Sequence, residues 1–145
     1  MFKLNNLSLL LLRLAISYIW LSSGISKLLS PDFINSFGGI IQGFAKSCSF
    51  PFYANFLNEY VVPHIQIFAQ LIVWGEILTG ASFLLGFPLI LAALSGMFMN
   101  LNYFFVATSV PSQFLNIIMI VSQFACWSCG AGSIWGLEAK IRRSK

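Results

Sequence analysis

The chain has 145 residues, 58% hydrophobic and 8% charged, with a net charge of +4. A soluble domain carries about a quarter charged residues, and a surface this poor in charge aggregates in water. The composition argues against a soluble enzyme, a nucleic-acid binder and a disordered tail, and the length allows one domain of ordinary size. Lipid is the expected solvent for most of the protein.

A bilayer core of about 30 Å takes about 20 mostly apolar residues in helix. The first run to meet that length covers about 7–29 and closes at Ser30-Pro31-Asp32, a turn signal. Lys3, a leucine run and Ser22-Ser23-Gly24 give it the outline of a signal peptide. Its length and the internal Arg13 favour an uncleaved span. The segment 30–63 follows, and it is apolar rather than loop-like. Phe33, Phe37, Ile40, Ile41 and Phe44 fall at helical spacing, which predicts an amphipathic interfacial piece or a short helix across the bundle end. Further spans are expected at about 64–86, 88–110 and 112–135, with Pro63 as a first-turn residue and tight connections at Gly86-Phe87-Pro88 and Pro111. The predicted fold is an all-α integral membrane protein. It is an antiparallel four-transmembrane-helix bundle with an interfacial segment between the first two spans and a basic tail at 136–145.

Four of the eight lysines and arginines lie in the last six positions. The positive-inside rule places that tail in the cytoplasm, and an even number of spans puts the amino terminus there too. The expected location is a prokaryotic plasma membrane. The expected partners are the lipid bilayer and either another membrane protein or a second copy of the chain. Nucleic acid is not among them.

Ionisable groups inside spans are costly and serve as functional hypotheses. Arg13, Lys27 and Glu76 qualify. If all helices start level at the cytoplasmic face, Arg13 lies about 9 Å and Glu76 about 16 Å above it. That pairs Arg13 with Glu76. Lys27 falls about 14 Å further out, free to snorkel or to meet Asp32 or Glu59. Asn100, Cys126 and Cys129 come out at about 18, 13 and 9 Å. All could converge in one polar site, or form a polar zipper that sets helix register. Cys126-Trp127-Ser128-Cys129 is a CxxC, here inside a predicted span, with both thiols on one side of a helix. Two thiols without further ligands make no metal site, and buried cysteines also serve as small apolar residues. His64, the single histidine, reads as an interfacial hydrogen-bonder. Gly24, Gly75, Gly80 and Gly130 suit close helix approach.

Arg13-Leu14, Gly24-Ile25-Ser26-Lys27-Leu28, Glu76-Ile77-Leu78-Thr79-Gly80 and Leu84-Leu85-Gly86 together resemble the DoxX/DoxD-like family of small four-span membrane proteins. The glycine-rich Cys129-Gly130-Ala131-Gly132-Ser133 resembles the family's terminal segment, although Ser133 to Glu138 is shifted from its usual ending. The resemblance implies a redox association. Some members look like the membrane subunit of a thiosulfate:quinone oxidoreductase, and MauE-type relatives accompany disulfide or cofactor maturation. Matching positions are Arg13, Gly24, Lys27, Glu76 and Asn100.

The leading expectation is therefore quinone-linked or thiol redox chemistry. Glu76, Arg13, Cys126 and Cys129 would carry it, and Asn100 and Lys27 would bind a quinone. The alternative is a non-catalytic accessory subunit of a larger membrane complex. A small-solute transporter fits less well, because no interrupted helix shows in the sequence.

Overall fold

A computed structural model describes residues 4–143, and every regular element among them is helical. Helix α1 spans Leu4–Leu29, α2 Phe33–Ser47, α3 Pro51–Phe56, α4 Ile65–Leu85, α5 Leu89–Val106, α6 Val110–Ser128 and α7 Leu137–Arg143. Four helical stretches are long and apolar enough to cross a membrane: Asn5–Leu29, Pro51–Leu85, Leu89–Val106 and Val110–Ser128. The fold is thus the expected all-α membrane bundle.

Three boundaries differ from expectation, each for a local reason. The second span is longer than predicted, because α3 runs into α4 through a π-turn at Leu57–Val61 and a 3-10 turn at Val62–His64. Pro63 sits in that 3-10 turn rather than opening α4. A proline inside a helix removes one hydrogen bond and clashes with the preceding turn, so the helix is interrupted here without ending. The third span stops at Val106. The fourth stops at Ser128, seven residues short of 135, where Gly130 turns left-handed at φ 70°. Gly130 is therefore a helix terminator, not a point of close approach.

The segment between the first two spans folds as α2 and α3. Helix α2 buries Phe37, Ile41 and Ala45 in one cluster with Tyr53, Leu57, Val61, Ala69 and Val106. Periodicity anticipated that stripe, although Ile40 faces outward.

Small residues set how α1 and α4 meet. A Cβ on Gly24 would come within 2.7 Å of Ile77 Cγ1 and 3.0 Å of the Ile77 nitrogen. One on Gly80 would come within 2.8 Å of the Leu21 nitrogen. The Ser17 hydroxyl donates to the Gly80 carbonyl at 2.8 Å. In lipid, helices associate through close packing and hydrogen bonds of this kind. The two glycines lock a single register, Gly24 against Ile77 and Leu21 against Gly80.

Candidate functional site

The glycine register decides which charges meet. Glu76 faces Ile25, two residues from Lys27 and twelve from Arg13, or about 3 Å and 18 Å along the axis. Lys27 Nζ accordingly donates to both carboxylate oxygens of Glu76 at 2.6 Å and to Ser23 Oγ at 2.8 Å. The expected Arg13–Glu76 pair does not form, and Lys27 does not go to Asp32 or Glu59. Level helix ends were the faulty premise. Helix α1 overhangs the α4–α5 turn by about ten residues, close to three turns.

Glu76 is wholly buried, whereas the Lys27 side chain keeps 26% of its surface exposed. Tyr103 of α5 donates its hydroxyl to Glu76 Oε1 at 2.6 Å, and the ammonium lies 5.9 Å from the centre of the Tyr103 ring. The carboxylate thus has two donors from two other helices. A buried charge needs such partners.

Tyr103 also faces a cavity of about 420 Å³ between α2, α3, α4 and α5. Its wall is apolar and aromatic, with Phe37, Ile41, Phe98 and Met99 among its residues. Its polar groups come from few side chains. The Tyr53 hydroxyl donates to Asn102 Oδ1 at 2.6 Å, and Thr79 Oγ1 donates to Ser95 Oγ at 3.1 Å. A mostly apolar concavity with a few convergent polar groups is the usual form of a small-molecule site.

The remaining candidates lie elsewhere. Asn100 is buried, but its amide donates to the Gly96 carbonyl of its own helix at 3.1 Å, and it does not line the cavity. Arg13 is 2% exposed and donates Nη1 to the carbonyls of Ala131 at 2.7 Å and Ile134 at 2.9 Å, while its Nε is buried without a partner. Cys126 is buried in a cluster with Ile16, Trp20, Phe83 and Leu89. Cys129 is exposed at the cap of α6 rather than inside the span. Both thiols are free. His64 Nδ1 lies 3.0 Å from the Tyr60 carbonyl, as an interfacial hydrogen-bonder would.

Sequence reasoning missed Tyr103, Tyr53, Asn102 and the buried pair Trp20 and Gln123, in which Trp20 Nε1 donates to Gln123 Oε1 at 3.2 Å. A polar residue three positions after Asn100 in an apolar helix was the available signal for Tyr103.

Four membrane-length helices closed around a buried ion pair and an aromatic cavity define a polytopic membrane protein with an internal polar site. The DoxX family profile matches residues 8–109, and the chain belongs to the DoxX family. The matched span contains Lys27, Glu76, Tyr103 and every residue of the cavity wall, and it stops short of both Cys126 and Cys129. Comparisons with curated proteins and with solved structures found no match.

Proposed function

We propose that this DoxX-family protein acts in quinone-linked redox chemistry, with a quinone ring in the aromatic cavity and Glu76 as its proton relay. One observation carries the reading. Tyr103 lines the cavity, and its hydroxyl donates to a buried carboxylate paired with Lys27. The cavity volume of about 420 Å³ falls in the usual range for small-molecule sites.

Reduction of a quinone to a quinol takes up two electrons and two protons. Glu76 takes up a proton released by the donor, Tyr103 passes its own proton to a quinone oxygen and is reprotonated from Glu76, and Lys27 holds the carboxylate charge that returns; a second passage delivers the second proton. The electrons come from a dithiol or reduced-sulfur donor. Cys126 and Cys129 are the chain's own candidate dithiol, and closing it to a disulfide releases the two electrons and two protons that the quinone consumes. The Cys126 cluster borders Tyr103 and Met99, both in the cavity wall. Both termini lie in the cytoplasm on this reading, where the basic tail favours them.

The accessory-subunit reading draws on α6, the least covered of the four spans, which turns Phe114, Ile118 and Val121 outward. Such a face suits a neighbouring membrane protein.

One experiment separates the two. The purified chain in nanodiscs is given a short-chain quinone with dithiothreitol as donor, and quinol formation is followed optically. Wild type turns over, and Glu76→Gln lowers the rate by about 10²-fold or more, the scale of general acid–base catalysis. Equal rates in wild type and Glu76→Gln remove Glu76 from the reaction. A wild type without turnover leaves the accessory reading.

A further inference from the structure

The segment after α6 is anchored at two points. Arg13 holds the carbonyls of Ala131 and Ile134. Glu138 Oε1 accepts the Leu89 N–H, at the first residue of α5, at 3.2 Å. Between these anchors Trp135 takes φ 53°, a left-handed conformation that bulky residues rarely adopt. Its side chain stands 79% exposed. The backbone accepts strain while an indole is held outward.

Beside it opens a groove of about 390 Å³, walled by Leu84 and Leu85 from the last turn of α4 and by Trp135, Leu137 and Lys140. Leu84 and Leu85 are about half exposed at the end of a spanning helix. Leu137 and Lys140, three residues apart, share one face of α7. Leucines at the end of a spanning helix, an indole and an ammonium in one groove are the groups that a lipid interface meets from acyl chain to phosphate. The charge agrees. Lys140 is followed by Arg142, Arg143 and Lys145, and Glu138, engaged with α5, is the one acidic residue after α6.

We propose that this groove binds an anionic phospholipid, with the phosphate at Lys140 and the first acyl segment along Leu84 and Leu85. The leucine wall selects a lipid over a soluble anion, since a lone exposed lysine gives a free phosphate little purchase. The proposal uses no part of the Lys27–Glu76 site and stands independently of the quinone reading.

The test is native mass spectrometry of the full chain released from micelles holding phosphatidylglycerol and phosphatidylcholine in equal amounts. Wild type retains phosphatidylglycerol preferentially. Lys140→Gln, a change at an exposed side chain, lowers that preference about fivefold, the weight of one basic residue at an anionic surface. Lys46→Gln, at the exposed last turn of α2, lowers it distinctly less. Equal retention of the two lipids by wild type overturns the proposal, as does an unchanged preference in Lys140→Gln. An equal fall in Lys46→Gln also overturns it, because diffuse attraction by the chain's net charge then suffices. Displacement of phosphatidylglycerol by glycerol phosphate, added at a few times the lipid concentration, reassigns the groove to a soluble anion and overturns the lipid assignment.

Discussion

Lys27 and Glu76 illustrate how unequal the two ends of an ion pair can be. The carboxylate is sealed inside the bundle, while the ammonium reaches it from a partly exposed stem. Removing the ammonium strands a buried charge, and breaking such a pair costs about 3–5 kcal/mol. Lys27→Met is therefore expected to lower the thermal unfolding midpoint in detergent clearly. The double variant Lys27→Met/Glu76→Met recovers most of the loss, because a buried pair replaced by apolar residues is often neutral or better. A double variant no more stable than Lys27→Met would falsify the stranded-charge account. The two ionised groups were legible in the sequence because charge is rare inside apolar runs. Their pairing was not. It depends on an axial offset between helices that no single helix encodes.

At the scale of elements, that offset comes from Gly24 and Gly80. Each leaves a gap filled by the partner helix, so each works only as glycine in this register. Gly24→Val puts methyl groups where Ile77 already stands at 2.7 Å from the Cβ position. Overpacking of this kind costs about 1–3 kcal/mol or more, and the variant is expected to lower the unfolding midpoint and, on the proposed quinone reading, to slow quinol formation, since Lys27 and Glu76 move with the two helices. Gly39→Val is the control, since a Cβ there meets no atom within 4 Å. Span lengths came through from composition to within a few residues at most ends. The fourth span ran too long because the apolar run 129–135 continued past Gly130, and only the left-handed turn of that glycine ends the helix. Helix α2 was visible as a stripe. The cavity beneath it was not, since its wall joins residues as distant as Phe37 and Val106.

Across the whole molecule, the amino-terminal overhang of α1 and the segment after α6 form one unit. Leu9 and Leu12 of the overhang pack on the core cluster, and the carbonyls of Ala131 and Ile134 receive the Arg13 guanidinium. Glycines make room there: a Cβ on Gly86 would come within 2.6 Å of Arg13 Nη1, and one on Gly136 within 2.8 Å. Truncation after Ser128 removes both acceptors of the Arg13 guanidinium. A stranded buried charge costs several kcal/mol. The truncated chain is expected to unfold at lower temperature than wild type in the same detergent, and adding Arg13→Met restores part of the difference. Sequence reading valued Arg13 for its rarity in the span and assigned it to chemistry. Its acceptors are backbone oxygens 118 and 121 positions away, and backbone oxygens leave no mark in a sequence.

The Lys27–Glu76 pair also imposes an order on biosynthesis. Its members are 49 positions apart, and at about 5–20 residues per second a ribosome delivers the second about 2–10 s after the first. During that interval the first span enters the membrane with an uncompensated ammonium near its end. Until α4 arrives that ammonium can only reach for the membrane interface, so closure of the pair is paced by translation.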